Sequence, residues 1–471
     1  MKKRRYEPDP GAVMIKLLNV YYPTRTIILV ICEFLIVGGS FLLASALVLG
    51  PRTFSVLGQS HGELKIALLT VSTILGAHYF DLYEPQQVSE RWEIYLRLMV
   101  IIGCLAILLS LVVYVFPEAA IARFVFLLGL IFVVASLIAW RKAFEWISGH
   151  PIFQERVYVL GSGERAKEII ATIEAHRESG MVVVGCDAPA ADKAERKRLF
   201  AEAVRHMALS HGKIHRVVIA LDDRRGELPV DGLLSMRLGG VTIQEASDLM
   251  ERLSGKMQLD GLRPSDLLFC EGFRMRPSQQ ILRRMASTLV SALILLLFLP
   301  VFPFVALLVK LSSPGPIFFR QERVGLNGKV FKLSKFRTMV VNAEAGGAQW
   351  AQKNDPRVTR IGQFLRKTRL DEVPQLWNVL RGEMGFVGPR PERPEFVSWL
   401  TEELPFYEVR HMIHPGLTGW AQIRYGYGAT LEESREKLAY DLYYVKHQTL
   451  GLDLLIMFET IKTVIRRRGA Q

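Results

Sequence analysis

Five apolar runs decide most of what this chain can become. Four of them, at residues 27–49, 64–80, 98–116 and 122–140, precede residue 141. Each is close to the ~20 residues that a helix needs to cross a bilayer. The second is the shortest and carries His78 near its end. Lys2, Lys3, Arg4 and Arg5 precede the first run, and Arg141 and Lys142 follow the fourth. Positive flanks stay on the cytoplasmic side, so four crossings return the chain to the side where it began. Pro8, Pro10 and other polar residues separate the basic N-terminus from the first run, and no small-residue site closes a short apolar core. A cleaved leader is therefore not expected. Glu33 lies inside the first run, where an acid is either functional or packed against another helix.

The fifth run, 285–309, is long enough to cross, but Pro300 and Pro303 interrupt it. Each proline removes a backbone donor and kinks a helix. Arg283 and Arg284 precede the run and Lys310 follows it, which keeps both ends cytoplasmic. A broken helix over 285–311 that enters and leaves by one face satisfies these constraints; an ordinary kinked span is the alternative. Residues 450–468, LGLDLLIMFETIKTVIRRR, are apolar and end in Arg466, Arg467 and Arg468. They read as an interfacial helix with its basic end on lipid headgroups, or as a core helix with a solvated tail.

A length of 471 residues gives a prior of roughly three domains. Cys32, Cys104, Cys186 and Cys270 form no CxxC pair, so neither a disulfide framework nor a zinc site is expected, and a reducing compartment fits. The net charge of +13 suits cytoplasmic loops on anionic lipid, or the binding of phosphates. No aromatic-basic recognition motif is present, so no nucleic-acid partner is expected.

From Glu155 short β-branched runs alternate with charged helical stretches. Strands are expected at 157–160, 181–185 and 216–221, with a last strand and helix over 241–253. Such alternation predicts a parallel α/β sheet. Gly161-Ser162-Gly163 after the first strand resembles a dinucleotide fingerprint with Ala166 in its third position, and Asp187 lies near the end of the next strand. A lone motif of this kind is weak, and a structural or regulatory Rossmann-like module fits better than a nucleotide site.

Beyond Pro314-Gly315-Pro316, a turn at Gly325 to Gly328 predicts a β-hairpin. Lys332, Lys335 and Arg337 recur along and after its second strand, where alternate positions share a face. The stretch RKTRLDEVPQLWNVLRGEMGFVGPRPERP, at 366–394, carries adjacent carboxylates, Asp371 and Glu372. Pro374 and Gly382 mark a helix start and stop. Acids at a helix start can be simple caps. Density argues for more: Arg366, Lys367, Arg369, Arg381 and Arg390 all lie between residues 366 and 390. Arginine holds phosphate oxygens bidentately, and acids among fixed cations suit phosphoryl transfer with a metal ion. His411 and His414 lack a third ligand at clear spacing, and Trp420, Tyr425, Tyr427, Tyr443 and Tyr444 read as core or interface residues before sugar-stacking ones.

The stretches PGPIFFRQERVG, FKLSKFRTM, DPRVTRIGQFLRKTRLDEVPQLWNVLRGEMGFVGPRPE, HPGLTGWAQI and DLYYVKH together resemble the monotopic phosphoglycosyl transferases, the bacterial sugar transferase family that starts glycan assembly on polyprenyl phosphate. The resemblance covers residues from about 280 to 471; four spans and a Rossmann-like domain upstream resemble the family's large form. It implies that Asp371 attacks the sugar-bearing phosphate of a UDP-sugar, that UMP leaves, and that polyprenyl phosphate takes the phosphosugar from the aspartyl intermediate. It implies that Glu372 assists in Mg²⁺ binding or proton transfer, with Asp371 and Glu372 as the metal-binding acids. Arg366 and the Pro389-Arg390-Pro391 turn match phosphate-handling positions, to which Lys335 and Arg337 are added. Pro300 matches the helix-breaking proline; Leu299 stands where the family often has Ser.

The expected architecture is thus a multi-domain membrane protein. A four-span α-helical transmembrane bundle occupies 1–150 and a Rossmann-like α/β domain 151–275. A mostly α catalytic domain over 276–471 carries the re-entrant membrane helix and interfacial amphipathic helices. The expected setting is the cytoplasmic face of a bacterial inner membrane, in a homodimer that contacts membrane lipids, in exopolysaccharide, capsule or O-antigen assembly. Two other readings differ in class. A membrane-anchored, nucleotide-sensing scaffold would lack Asp371, Glu372 or Arg390, and a processive glycosyltransferase would need a DxD-like motif in better context than Asp222-Asp223.

Overall fold

The computed structural model describes residues 14–59, 61–83, 91–117, 121–150, 153–187, 214–221, 230–270, 277–341, 355–426 and 430–465, with a few isolated positions between them. Lys2, Lys3, Arg4, Arg5, Pro8, Pro10, Asp222, Asp223, Tyr427 and Arg466 to Arg468 lie outside the described residues. The chain divides into two compact units, residues 1–16 with 21–249, and residues 17–20 with 250–471.

Among the described residues of its first part, the first unit carries four long helices: α1 (Thr24–Leu49), α2 (Gly62–Tyr79), α3 (Arg91–Val115) and α4 (Arg123–Gly149). Val37 and Phe41 of α1, Leu69 of α2, Leu98 and Ile101 of α3, and Val133 and Leu137 of α4 share one core. The outward faces are also apolar, with Leu35, Leu47, Leu68, Leu111 and Ile131 exposed. A helix that is apolar all round belongs in lipid or a large core. Among the described residues, four stretches are long and apolar enough to cross a membrane: Thr24–Gly58, Glu93–Val115, Arg123–Gly149 and Pro277–Phe298. The chain is read as a membrane protein on this basis. The expected second crossing is helical but is not among the four; α2 carries Glu63, Lys65 and His78 within its 18 residues. Glu33 of α1 is buried and paired: Arg141 of α4 donates Nε to Oε1 (2.7 Å) and Nη2 to Oε2 (3.0 Å), and Tyr83 donates its hydroxyl to Oε2 (2.7 Å). An acid inside a membrane span is expensive without such partners, so Glu33 acts here as an interhelical clasp.

The same unit continues with β1 (Glu155–Leu160), α5 (Glu164–Ala175), β2 (Met181–Cys186), β3 (Arg216–Ile219), α6 (Val230–Leu238) and β4 (Thr242–Glu245), and the division between the units falls within α7 (Ala246–Ser254). The four strands form one parallel sheet in the order β2-β1-β3-β4. Their Val- and Ile-rich runs suit strands covered on both faces, and Leu160 and Val217 are fully buried within it.

Further along the second unit come α8 (Pro277–Phe298) and α9 (Phe302–Ser312). The break between them follows from the prolines. Pro300 has no N–H to give Leu296, whose carbonyl instead accepts from Leu299 N (3.3 Å) in a tightened last turn. Pro303 sits in the first turn of α9, where its missing donor costs nothing. Val305 and Val309 of α9 bury against Phe336 and Leu365, with Phe298 and Leu370 packed on the same cluster. The predicted hairpin is β5 (Phe318–Val324) with β6 (Val330–Phe336), antiparallel, Val324 opposite Val330. Then come α10 (Arg360–Lys367), α11 (Gln375–Arg381), β7 (Gly385–Val387), β8 (Gly416–Thr418), α12 (Leu431–His447) and α13 (Leu450–Ile465). β7 and β8 are parallel, with Gly416 opposite Gly385.

Candidate active site

Thr359 caps α10, its Oγ1 accepting from Gly362 N (2.9 Å). Gly362 is where the helix meets the strand region, because a Cβ there would stand 2.0 Å from the Thr338 carbonyl oxygen. That close approach lets Arg366, one turn on, donate Nε to Thr338 Oγ1 (3.0 Å). Arg369 adopts a left-handed φ of 57° and redirects the chain into a 3₁₀ turn, Leu370–Glu372. Leu370 is anchored in the apolar cluster below. α11 follows and stops at Gly382, φ 86°. Asn378 of α11 fastens it to β6, donating Nδ2 to Lys332 O (2.8 Å) and accepting from Ser334 N (3.2 Å). The acid pair is thus held beside Lys335.

The two acids differ sharply. Asp371 is 7% exposed, and its Oδ1 is buried without a hydrogen-bond partner. Glu372 Oε1 is clamped by Arg369 Nη1 and Arg390 Nη2, both at 3.3 Å. Burial and then the neighbouring Glu372 raise the Asp371 carboxyl to about 6, against the pull of Lys335, Arg366 and Arg369. Burial alone would raise Glu372 too, but Arg390, Arg369 and Lys335 outweigh it and bring that carboxyl down to about 2. Burial and then Arg390 lower the Lys335 ammonium to about 8. Adjacent acids with opposed shifts mark a division of labour.

Each carbonyl of the Pro389-Arg390-Pro391 turn is held by a different segment. Gly416 N donates to Pro389 O (2.9 Å), Arg410 Nη2 to Arg390 O (2.9 Å) and Arg323 Nη1 to Pro391 O (3.0 Å). Arg410 is itself buried against Asp441 of α12 (2.8 Å) and donates to Tyr407 Oη (2.5 Å). Sequence reasoning passed over Arg410, Arg323, Asn378 and Gln375; only the last two stand inside the acid-bearing stretch, and none carries a local signal. Gln375, 4% exposed, has its Nε2 buried without a partner.

The remaining predicted residues fall in other places. Arg337 does not join the cations around the acid pair. It lies just past the end of β6 and donates Nη2 to Val309 O (3.3 Å) and Ser313 O (2.6 Å), fastening the exit of α9. Pro300 and Pro303 form the break between α8 and α9. His411 is lowered to about 3 by burial and Arg410, and His414 is lowered by burial, Arg284 and Arg283. Among the described residues no three His, Cys, Asp or Glu side chains gather as a metal cluster; Asp371 and Glu372 are the acids available to a cation at this site. Trp420 stacks on Tyr443 (5.9 Å) and donates Nε1 to Gly255 O (2.7 Å), a core role. In the α/β region Asp187 accepts from Gly161 N (2.7 Å) and the Tyr158 hydroxyl (3.0 Å), so a carboxylate already occupies the glycine turn's first amide.

A profile of the family described as "Bacterial sugar transferase" matches residues 278–467. An exopolysaccharide production protein PSS from Rhizobium leguminosarum bv. phaseoli is 44% identical over 193 residues, 40% of this chain and 96% of that protein. The chain belongs to the bacterial sugar transferase family. A UDP-glucose:undecaprenyl-phosphate glucose-1-phosphate transferase from Caulobacter vibrioides is 39% identical over 220 residues, 46% of this chain and 80% of the relative. A UDP-N-acetylgalactosamine-undecaprenyl-phosphate N-acetylgalactosaminephosphotransferase from Aeromonas hydrophila is 41% identical over 234 residues, 50% of this chain. The chain spans about half of that relative, 55% of its length. The family match begins in α8 and contains every residue of the acid site, whereas the bundle and the parallel sheet lie outside it.

Proposed function

We propose that this chain transfers a sugar-1-phosphate from a UDP-sugar to polyprenyl phosphate, releasing UMP, with Asp371 as covalent nucleophile. The observation that carries this is the contrast within the acid pair: Asp371 Oδ1 is buried and unpartnered while Glu372 is clamped by two arginines. An Asp371 oxygen attacks the sugar-bearing phosphorus; the new O–P bond forms as the P–O bond to UMP breaks, and UMP takes the electron pair. A phosphate oxygen of the polyprenyl acceptor then attacks the same phosphorus and releases the carboxylate, dividing one transfer into two steps. Arg366, Lys335, Arg369 and Arg390 face the charge that gathers on the phosphoryl oxygens.

Mg²⁺ takes one or two protein carboxylates and completes its shell with water and substrate phosphates, a demand that Asp371 and Glu372 fit. Bound there, it would supply charge neutralisation on the phosphates. Glu372 serves that cation or the handling of a proton.

Contacts within the same unit support the setting. Arg284, two turns into α8 and just before its apolar run, donates to Leu380 O and Met384 O (3.2 Å each), and Arg337 holds the exit of α9. One compact unit therefore grips both ends of the broken helix, which supports a re-entrant path at the cytoplasmic face of the inner membrane, where soluble UDP-sugar and a lipid phosphate can meet. Buried Asp453 of α13, bonded to Arg283 of α8 (2.5 Å), supports an interfacial α13. The β2-β1-β3-β4 order and the glycine turn after β1 support a Rossmann-like middle domain. We assign the first unit, outside the family match, to self-association as a homodimer; a monodisperse monomer in native-lipid particles would refute that. The name of the Rhizobium relative, an exopolysaccharide production protein, supports exopolysaccharide or related glycan assembly as the pathway.

The test is to incubate the chain with Mg²⁺, polyprenyl phosphate and either UDP-glucose or UDP-N-acetylgalactosamine. UMP release and a phosphosugar adduct on Asp371 are expected. Turnover unaffected by Asp371→Asn would sink the nucleophile.

A further inference from the structure

Two buried polar atoms at the candidate site are orphans of opposite kind. Asp371 Oδ1 is an acceptor without a donor, and Gln375 Nε2 is a donor without an acceptor. Buried polar groups in folded proteins almost always have partners, so such a pair needs a physical reason. The backbone between them is helical: Val373 has φ −56° and ψ −37°, and Pro374 has φ −62° and ψ −19°. Residues four apart on helical backbone share a face, one turn on. Asp371 and Gln375 therefore stand at neighbouring positions, and their open atoms do not bond each other.

A phosphoryl group satisfies both. Its phosphorus is the electrophile for Asp371, and its non-bridging oxygens are acceptors for an amide N–H. We propose that Gln375 is a substrate-contacting residue whose Nε2–H donates to a non-bridging oxygen of the sugar-bearing phosphate during attack by Asp371. This rests on the reading of Asp371 as nucleophile. Lys335 supplies a point charge without fixed direction, and Arg366, Arg369 and Arg390 already donate to Thr338 or Glu372. A neutral amide adds a directed donor that leaves the ionisation of the acid pair alone, and it aligns the phosphorus with Asp371. No proton leaves Gln375; the bond to Asp371 forms as the bond to UMP breaks.

The test uses the full chain in native-lipid particles, with single-turnover UMP release as readout. Gln375→Met keeps the volume and removes the donor; Gln375→Glu keeps the shape and puts a carboxylate where the donor stood. The expected loss in Gln375→Met is about 10²-fold in rate, as for removal of one preorganised donor, with KM within about threefold of wild type. Gln375→Glu should lose at least as much. A purely structural glutamine would not move a second readout. With sulfur replacing a non-bridging oxygen on the sugar-bearing phosphorus, one diastereomer should slow the wild type more than it slows either variant. A rate within about threefold of wild type in whichever variant folds, or an identical sulfur effect in variant and wild type, overturns the proposal. Asp371→Asn separates the two readings: a full UMP burst in that variant defeats the nucleophile, whereas a full burst in Gln375→Met with none in Asp371→Asn defeats the Gln375 contact alone.

Discussion

At the scale of residues, the site works by making neighbours unlike. Glu372 stays ionised because two guanidiniums hold one of its oxygens, so it absorbs cationic charge that would otherwise settle on Asp371. Asp371, buried and beside that charge, titrates at about 6, and Lys335 at about 8. The sign follows directly. A nucleophilic carboxylate must be deprotonated, so kcat/KM for UMP release should rise as pH climbs through about 6. A phosphate-facing ammonium must be protonated, so the rate should fall again as pH passes about 8. Lys335→Met should lower the whole profile and abolish its alkaline limb; a profile of unchanged shape in that variant would exclude Lys335 from the site. Asp371, Glu372, Arg366 and Arg390 were legible in the sequence because they crowd one short stretch. Arg410 was not, since its partners Arg390 and Asp441 lie 20 positions before it and on another helix. Arg337 misled for a related reason: strand alternation gives a side chain's face, but the carbonyls of Val309 and Ser313 claim it from outside the strand.

At the scale of elements, prolines and glycines carry most of the local instruction, which is why the broken helix, the β5–β6 hairpin and the stop at Gly382 could be read in advance. The parallel β7–β8 pair could not, because its three-residue strands are fixed by Gly388 N bonding to Thr418 O (2.9 Å), a contact 30 residues apart in sequence. The helix break itself can be tested. Pro300→Ala with Pro303→Ala restores both missing donors, to the Leu296 and Leu299 carbonyls, and removes kinks worth about 3 kcal/mol each in a helix interior. The double variant should straighten into a crossing helix. A C-terminal tag, which the proposed re-entrant path puts on the cytoplasmic side in the wild type, should then appear on the far side in a large fraction of molecules, with UMP release in whole vesicles falling in proportion. A tag that stays wholly cytoplasmic would mean that the grip of Arg284 and Arg337 on the helix ends, and not the prolines, sets the path.

At the scale of the whole molecule, the acid site belongs to the second unit, while the first unit contains the buried clasp of Glu33 with Arg141 and Tyr83. The Rhizobium relative aligns over 96% of its length with part of this chain, so a chain of this family exists with little beyond the transferase region. The two units should accordingly fail separately. Arg141→Met leaves Glu33, 1% exposed, as an uncompensated acid within the bundle; removing one partner of a buried ion pair costs about 3–5 kcal/mol. Arg141→Met together with Glu33→Leu removes both charges and should recover most of that loss, because an apolar pair of similar volume is close to neutral. Unfolding in detergent, followed across the two single variants and the double, yields the coupling energy. UMP release below the unfolding transition should stay at the wild-type rate in all three. Equal destabilisation of Arg141→Met and the double variant would show that the clasp is not coupled, and a lost reaction in a folded Arg141→Met chain would show that the bundle does more than hold the enzyme in the membrane.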